Sequence, residues 1–462
     1  MKQLERLETG VPGLDTLLKG GLVSGASYII QGRPGSGKTI LANQIGFNHV
    51  KRGGRMLFAS LLAEPHDRLF QFLSTLTFFD KAQVGSSIQF VSAFDTLETD
   101  GLDEVVKLLR REISRQQSTL LILDGLLNAR SKAESPIDTK KFISALQGHA
   151  AFAGCTVLFL TSSQIDEGSP EHTMVDGVIQ MGEESTGATS VRRLQLRKTR
   201  GSGAISGSHE FEINEHGLVI YPRLESLLPA LRIAEDSSPA RVTSGISSLD
   251  KSLGDGLVKS SITLVLGPSG VGKTSLGLQF LSASTPDEPG LHFGFHESPQ
   301  RVRSKADALA LGYPRLMEKG ALQIMWRSTS TGLIDQVCYE LLQVVDRDNV
   351  RRVFIDSLSG FERVSADPAR VRGVLVALLE QLRSRGVTVL ATYELHQFMS
   401  SMADYSTPEL SSTVDNLLLV EFARKGAELH RQLTILKVRD SAFDPSILQV
   451  VMSGTGIELR RV

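Results

Sequence analysis

Two short segments of the chain share the pattern Gly-x-x-x-x-Gly-Lys-Thr, which is typical of loops that bind phosphate. Glycines let consecutive backbone N–H groups surround phosphate oxygens, the next helix adds its positive end, lysine adds a point charge, and threonine binds Mg²⁺. The alternative is a glycine-rich turn that only joins a strand to a helix. This alternative is disfavoured because the motif recurs in equivalent surroundings. The sequence therefore predicts two nucleotide sites. Their residues are Gly32, Arg33, Pro34, Gly35, Ser36, Gly37, Lys38 and Thr39, and Gly267, Pro268, Ser269, Gly270, Val271, Gly272, Lys273 and Thr274.

Each half also contains an apolar run that ends in aspartate, Leu120–Asp124 in the first half and Val353–Asp356 in the second. An aspartate at the tip of a buried strand, close to a phosphate loop, suits the coordination shell of Mg²⁺. An aspartate that caps the following turn is the alternative. The predicted metal ligands are Thr39, Asp124, Thr274 and Asp356.

Strand-like and helix-like segments alternate in both halves, which is the pattern of a parallel sheet with helices on both faces. The helix candidates Leu102–Arg115 and Ala369–Arg385 carry apolar residues at steps of three and four. The predicted fold class is therefore α/β, with a doubly wound sheet in each half. The predicted core strands are approximately Tyr28–Ile30, Met56–Ser60, Ile88–Ala93, Leu120–Asp124 and Thr156–Thr161, and Ile262–Leu266, Leu291–Phe295, Leu322–Arg327, Val353–Asp356 and Val387–Thr392.

The internal repeat extends beyond the phosphate loops. Thr9–Asp15 and Ser244–Asp250 precede them with the same Gly and Leu-Asp positions. Both halves close with β-like segments appended to the sheet, and the polar, proline-bearing segment 226–240 has the character of a linker. We therefore predict two domains, 1–225 and 241–462. The predicted closing strands are Val191–Arg197, Glu210–Ile220, Gln432–Val438 and Ile447–Met452.

Composition restricts the class of protein. The chain has 462 residues, 41% of them hydrophobic, and a formal net charge of −1, so no global charge attracts nucleic acid or an anionic membrane. Cys155 and Cys338 lie in apolar segments of different halves, which favours buried thiols over a disulfide framework or zinc site. No signal-type start or membrane-length apolar run occurs. We expect a cytoplasmic protein that binds no membrane.

These segments together resemble the RecA-like ATPases, and among them the double-domain KaiC family of bacterial and archaeal clock-type proteins. The resemblance covers nearly the whole chain. It rests on the shared Gly and Leu-Asp positions that precede each phosphate loop, the late aspartate of each half, and two basic triplets, Lys198-Thr199-Arg200 and Lys437-Val438-Arg439. It implies two tandem RecA-like P-loop domains, ATP and Mg²⁺ as cofactors, Lys38 and Lys273 in catalytic roles, and a homohexameric ring.

In KaiC-like proteins, basic triplets of this kind reach the nucleotide of the neighbouring subunit. The resemblance therefore implies that Lys198, Arg200, Lys437 and Arg439 act in trans. A cation delivered across an interface neutralises charge on the transferred phosphoryl group, an effect worth ~10³ to 10⁵ in rate. A basic strand face exposed to water is the alternative.

A second local resemblance follows the last core strand of the second half. Gln397-Phe398-Met399 and Leu410–Asp415 match the region in which KaiC-like second domains carry adjacent hydroxyl residues that become phosphorylated. Ser411 and Ser412 are the positions that align, which implies a serine/threonine autokinase. Without the resemblance, such a cluster is more typical of a helix cap or loop. The first half has only Thr173 at the equivalent place, so no phosphosite pair is expected there.

The chain departs from the family where two adjacent glutamates normally follow the second core strand, the first acting on the nucleophile. Leu62 and Ala63 occupy these positions in the first half, with Glu64 one step late, and His296 and Glu297 occupy them in the second. Because general-base assistance is typically worth ~10² to 10⁴ in rate, we expect the first site to bind ATP without efficient turnover. In the second site His296 or Glu297 is the predicted catalytic residue, with Glu297 favoured.

The chain stops at Val462, so the tail that receives a stimulating partner in clock proteins is expected to be absent. The function that these observations favour is a slow ATPase and autokinase whose hexamer signals its nucleotide or phosphorylation state to unidentified protein partners. A non-catalytic, nucleotide-gated scaffold is the first alternative, because the glutamates are incomplete. A RecA-like nucleic-acid motor is the second, and the near-neutral charge disfavours it.

Overall fold

The computed structural model describes eight stretches of the chain, which form two compact units, Met1–Ser226 and Leu227–Val462. Most of the predicted linker, residues 228–239, lies outside the described stretches, so its conformation stays a prediction. Among the described residues, no helix combines the length and the apolar character needed to cross a membrane. The described stretches are 4–133, 135–162, 169–186, 189–227, 240–330, 332–395, 409–439 and 441–462.

The first unit alternates strands and helices before it ends in consecutive strands. Its strands are β1 (Arg6–Leu7), β2 (Leu22–Val23), β3 (Ser27–Gln31), β4 (Met56–Ser60), β5 (Ile88–Ser92), β6 (Leu120–Asp124), β7 (Thr156–Thr161), β8 (Gly177–Thr186), β9 (Thr189–Thr199), β10 (Ser208–Asn214) and β11 (Gly217–Tyr221). Its helices are α1 (Leu14–Leu17), α2 (Lys38–Lys51), α3 (His66–Leu73), α4 (Phe94–Thr99), α5 (Leu102–Gln116), α6 (Leu126–Lys132), α7 (Pro136–Phe152) and α8 (Pro170–Met174).

Nine of these strands form one sheet in the order β11-β10-β9-β8-β3-β7-β6-β4-β5. The six strands from β8 to β5 in this order are parallel, whereas β9, β10 and β11 extend the sheet as an antiparallel meander. All six residues of β7 are buried, as is typical of a parallel strand covered on both faces. The order places β3 next to β7 and β8, so the loop after β3 opens at the centre of the carboxyl edge.

The second unit repeats this arrangement. Its strands are β12 (Arg241–Val242), β13 (Leu257–Val258), β14 (Ile262–Gly267), β15 (Gly290–Gly294), β16 (Leu322–Trp326), β17 (Arg352–Asp356), β18 (Thr388–Glu394), β19 (Asn416–Lys425), β20 (Glu428–Val438), β21 (Leu448–Ser453) and β22 (Gly456–Arg461). Its helices are α9 (Ser247–Ser252), α10 (Lys273–Ser282), α11 (Pro299–Ala308), α12 (Tyr313–Glu318), α13 (Ile334–Arg347), α14 (Ser359–Val364) and α15 (Pro368–Ser384). The sheet order is β16-β15-β17-β18-β14-β19-β20-β21-β22, again parallel as far as β19.

Helices cover both faces of each sheet. In the first unit, Met56 and Ile122 face α2 so closely that a Cβ atom at Gly46 would lie 2.0 Å from the Met56 sulfur. Leu57 and Leu121 point the other way, into the core formed with α5 and α7. Because alternate strand residues serve opposite faces, a strand with helices on both sides needs a nearly continuous apolar sequence. The predicted α/β fold with two doubly wound, mostly parallel sheets is confirmed.

The predicted core strands and the two predicted helices are confirmed to within two residues at either end. The prediction of the closing strands is wrong in two respects. The segment Glu210–Ile220 is a hairpin of β10 and β11, because Asn214–Gly217 turns the chain and Gly217 has a φ of 99°. The strands β8, β19 and β22 were also missed, so each unit ends in a larger meander than the sequence suggested.

Candidate nucleotide sites

The first phosphate loop joins β3 to α2 through Gly32–Gly37. Gly37 precedes the helix with a φ of 93°, a left-handed conformation that favours glycine. The next residue, Lys38, is the first of α2, and its Nζ donates hydrogen bonds to the carbonyl oxygens of Gly32 and Arg33 at 2.8 and 2.9 Å. The lysine ammonium group is therefore held within the loop that is predicted to enclose phosphate.

The second phosphate loop has the same construction between β14 and α10. Gly272 has a φ of 106° and precedes Lys273, the first residue of α10. Lys273 Nζ donates to the carbonyl oxygens of Gly267 and Pro268, both at 2.7 Å. The repeat that the sequence predicts is thus reproduced down to the hydrogen bonds of the lysine.

Each loop threonine meets the late aspartate of its own half. Thr39 Oγ1 donates to Asp124 Oδ2 at 3.3 Å, and Thr274 Oγ1 donates to Asp356 Oδ2 at 2.9 Å. In the second unit Thr392, on the neighbouring strand β18, donates to the other oxygen of Asp356 at 3.0 Å. A hydroxyl and a carboxylate oxygen that lie this close can both face one Mg²⁺, which prefers a few oxygen ligands together with water and phosphate. The residues present fit the predicted metal.

Burial opposes charge on the groups that line the two loops. Desolvation lowers the pKa of Lys38 and of Lys273 and raises the pKa of Asp124. Neighbouring opposite charges counteract this effect, and for Lys273 the largest opposing charge is that of Glu394 at the end of β18. Sequence reasoning missed Glu394, although its place at the carboxyl end of a core strand was a usable signal. A bound phosphate would stabilise the charged form of both lysines, because its negative charge opposes the effect of burial on their pKa.

A cavity of about 260 Å³ opens beside the first loop. It is reached by Leu62 and Glu64, because β4 ends at Ser60 and the chain then follows an irregular path. Glu64 also forms an ion pair with Arg68 at 3.4 Å. The glutamate that the sequence places one step late thus reaches the wall of this cavity. The residues that line the cavity include Lys38, Thr39, Leu62, Glu64, His66 and Asp124.

His66 is a second lining residue that sequence reasoning missed. It is the first residue of α3 and packs its ring against Phe58 and Phe90, with centroid distances of 6.4 and 5.6 Å. Burial lowers the pKa of His66, and its Nε2 has no hydrogen-bond partner among the described residues. The wall of the first cavity thus combines a neutral imidazole with the apolar side chain of Leu62.

The two candidate catalytic residues of the second site differ in environment. His296 is exposed, whereas the Glu297 side chain is only 22% exposed and forms an ion pair with Lys305. The Oε2 atom of Glu297 is buried, without a hydrogen-bond partner among the described residues. Glu297 also acts electrostatically on His292, a fully buried histidine in β15 that is also influenced by Asp356. Of the two candidates, Glu297 is therefore the less exposed, and its charge acts on the same buried histidine as that of Asp356.

The basic triplet of the first unit contacts its own chain. Lys198 Nζ donates to the carbonyl oxygens of His172 and Thr173 at 2.7 and 3.0 Å. Arg200 donates to the Thr173 carbonyl at 3.2 Å and lies 3.9 Å from Asp176. Both basic side chains therefore bind the end of the short helix α8.

The basic triplet of the second unit makes the corresponding contacts. Lys437 Nζ donates to the carbonyl oxygens of Ser411 and Val414 at 2.9 and 2.8 Å. Arg439 donates to the Ser412 carbonyl at 3.0 Å and pairs with Asp415 at 3.4 Å. The predicted trans-acting residues thus bind the segment that carries the predicted phosphosites.

Ser411 and Ser412 end a short 3-10 helix, Glu409–Ser412. Ser411 is half-buried and Ser412 is exposed. The matching residues Gln397, Phe398 and Met399 lie outside the described residues. The hydroxyl of Ser412 is therefore open to a partner, while its carbonyl is held by Arg439.

Comparison with known proteins decides the family. The family model described as "ATPase: KaiC" matches residues 7–225 and again residues 242–461. The chain belongs to the KaiC ATPase family. It is 25% identical over 477 residues to the circadian clock protein KaiC3 of Synechocystis sp., covering 99% of this chain and 92% of that protein. It is 26% identical over 479 residues to the circadian clock oscillator protein KaiC of Thermosynechococcus vestitus, covering 99% of this chain and 89% of that protein.

A third relative, the circadian clock oscillator protein KaiC of Parasynechococcus marenigrum, is 25% identical over 479 residues, with 99% and 91% of the two chains covered. Both halves of the chain are thus KaiC ATPase domains, as the resemblance implied. Membership of this family implies nucleotide binding.

Proposed function

We propose that this KaiC-family ATPase binds ATP and Mg²⁺ at both loops, hydrolyses ATP slowly, and acts as a serine/threonine autokinase. It works in the cytoplasm as a homohexamer that signals its nucleotide or phosphorylation state to protein partners. The observation that carries the proposal is an asymmetry between two otherwise equivalent sites. Both loops hold a buried lysine and a Thr–Asp pair, but only the second lies near a half-buried family glutamate, Glu297.

The binding step rests on the phosphate loops. Lys38 and Lys273 exchange backbone carbonyl partners for phosphate oxygens, and backbone N–H groups of the loops add further donors. Thr39 and Asp124, or Thr274 and Asp356, would hold Mg²⁺, which would supply positive charge for the phosphate oxygens. Because these contacts are alike in the two halves, we propose that both bind ATP.

The turnover step requires a group that orients the nucleophile. We assign this role to Glu297 rather than His296, since Glu297 is half-buried and its charge acts on the same buried histidine as that of Asp356, while His296 faces solvent. A carboxylate in this position contributes ~10² to 10⁴ in rate. The first site has Ala63 in the corresponding place and Leu62 before it, so we propose that it retains ATP more than it consumes it.

The autokinase assignment concerns Ser411 and Ser412. The exposure of Ser412 supports it, because a nucleotide bound by a neighbouring subunit needs an accessible hydroxyl. Lys437 and Arg439 bind the backbone of the same segment and bring positive charge near the acceptor. Such charge stabilises an added phosphoryl group.

A non-catalytic, nucleotide-gated scaffold is the second candidate. It is favoured by Leu62 in the wall of the first cavity and by the ion pair that engages Glu297 with Lys305. A scaffold would bind ATP tightly and assemble without releasing phosphate.

Turnover by the variants Lys38→Ala and Lys273→Ala, followed by phosphosite mapping of the same samples, tests these assignments. We expect Lys38→Ala to keep most of the ATPase activity and the phosphate on Ser411 or Ser412, and Lys273→Ala to lose both. The reverse pattern would refute the asymmetry. Wild-type protein that binds ATP and assembles, but yields neither free phosphate nor phosphoserine, would select the scaffold.

A further inference from the structure

The second site contains a buried histidine that the assignments above do not use. His292 lies within β15 at 2% exposure, opposite Phe354 of β17 in the register of the sheet. The two rings meet edge to face with centroids 5.1 Å apart. Burial lowers the pKa of His292 to about 4, so the imidazole is neutral near pH 7 and carries one N–H donor.

Two polar atoms near this histidine are buried without a hydrogen-bond partner among the described residues. They are His292 Nδ1 and Glu297 Oε2. The other Glu297 oxygen binds Lys305, and the charges of Glu297, Lys305 and Asp356 all act on His292. A buried polar atom without a partner is destabilising, so two of them on residues that interact electrostatically indicate a contact that is completed in another state.

The first half of the chain provides an internal comparison. Residues 290–305 match residues 56–71 without a gap, so that β15 corresponds to β4 and α11 to α3. Three polar side chains of the second half, the His-Glu-Lys cluster, have no counterpart in the first. His292, Glu297 and Lys305 correspond to Phe58, Ala63 and Gln71.

The joint absence of the cluster argues against a purely structural histidine. Phe58 shows that an aromatic hydrocarbon fills this place in the repeated fold, at 1% exposure and in contact with Phe90. An imidazole adds buried polar atoms without adding apolar surface, which is unfavourable for packing alone. Its cost is compensated only if His292 binds another polar group, and Glu297 is a carboxylate with an unpaired oxygen within its electrostatic range.

We propose that His292 is a positioning residue for Glu297: its Nδ1–H donates to Oε2 while Lys305 holds Oε1, which fixes the carboxylate toward the nucleophile at the second site. This inference rests on the proposed function, because it needs turnover at that site. His292 touches neither nucleotide nor metal. It acts by limiting the rotation of the carboxylate, and misplacement of a catalytic group by about 1 Å can cost roughly 100-fold in rate.

Two substitutions separate this role from packing. His292→Phe installs the residue of the first half and removes the donor, whereas His292→Asn keeps an N–H near the position of Nδ1. Both are measured in the full-length chain with Lys38→Ala, so that turnover reports the second site. We expect His292→Phe to lower kcat by about 10- to 100-fold with the KM for ATP nearly unchanged, and His292→Asn to retain most of the activity.

A third measurement tests whether His292 and Glu297 act on the same step. In a Glu297→Ala background, His292→Phe is expected to add no further loss, because the group that it positions is gone. The inference is overturned if His292→Phe keeps full kcat, if the Asn and Phe variants are equally impaired, or if the loss adds to that of Glu297→Ala. A Lys38→Ala parent without any turnover would overturn the proposed function together with this inference.

Discussion

The first site lacks the pair of glutamates that the resemblance predicts, since Leu62 and Ala63 occupy their positions. Leu62 lines the same cavity as Lys38, Thr39 and Asp124, where the family places its first glutamate. A leucine can exclude bulk water from the phosphate but cannot orient a water molecule. We therefore propose that the first half holds a nucleotide and that the glutamate missing at position 62 limits its turnover.

Restoring this carboxylate is expected to restore turnover. In the Lys273→Ala background, Leu62→Glu should raise ATP hydrolysis by about 10-fold or more, since general-base assistance contributes ~10² to 10⁴. Leu62→Gln is the matched control, with the same length and no charge. Phosphate release by the two variants is compared at saturating ATP. Equal rates for Glu and Gln, with ATP binding intact, would mean that the missing carboxylate does not limit the first site.

At the scale of elements, both basic triplets contact backbone carbonyls of their own chain. Lys437 and Arg439 bind carbonyls of their own 409–415 segment, and Lys198 and Arg200 do the same at α8. Side chains that act in trans have to exchange these contacts for a neighbour's phosphate. Loss of activity after substitution would therefore fit either a trans role or a loosened segment.

Mixing two inactive variants separates these explanations. Arg439→Ala subunits retain an intact second phosphate loop, and Lys273→Ala subunits retain an intact Arg439. If Arg439 acts across an interface, mixed assemblies regain turnover well above the sum of the two separate samples, because some interfaces combine both intact groups. The control mixes Arg439→Ala with the double variant Arg439→Ala/Lys273→Ala and should regain nothing. A mixture with no gain would confine Arg439 to its own segment.

The core strands could be predicted from the sequence, whereas the antiparallel extension and two residues near the second site could not. The core strands were predictable because parallel strands with helices on both faces are continuously apolar and end in punctuating residues such as Asp124. The outer half of β8, with Gly182, Glu183 and Glu184, lacks this signature because it lies in the antiparallel extension. The Thr–Asp pairs followed from strand order, but the approach of Glu394 and His292 to the second site depends on tertiary packing that spacing alone does not specify.

At the scale of the whole molecule, two compact units each hold their own phosphate loop. A ligand that binds only the folded, assembled form stabilises it by an amount that grows with the logarithm of the ratio of ligand concentration to dissociation constant. If the proposed hexamer forms, nucleotide would control the oligomeric state as well as serve as substrate.

We therefore expect the molar mass of the particle in solution to depend on nucleotide. With ATP and Mg²⁺ the molar mass measured by light scattering should rise from that of one 50.2 kDa chain to that of six. The variant Lys38→Ala/Lys273→Ala, which lacks both phosphate-binding lysines, should remain small under the same conditions. A mass that is independent of ATP, or a double variant that assembles like the wild type, would contradict nucleotide control of assembly.

The contact of Lys437 with the carbonyls of Ser411 and Val414 also suggests how the chain could retain a record of earlier phosphorylation. A phosphoryl group on Ser411 or Ser412 would carry about −1.5 to −2 charge at pH 7 and would compete with those carbonyls for the three donors of the lysine. The position of Lys437 would then depend on whether its own segment had been modified earlier, not only on the nucleotide present at that moment. A chain built this way can register elapsed turnover, because the record persists until the phosphate is removed.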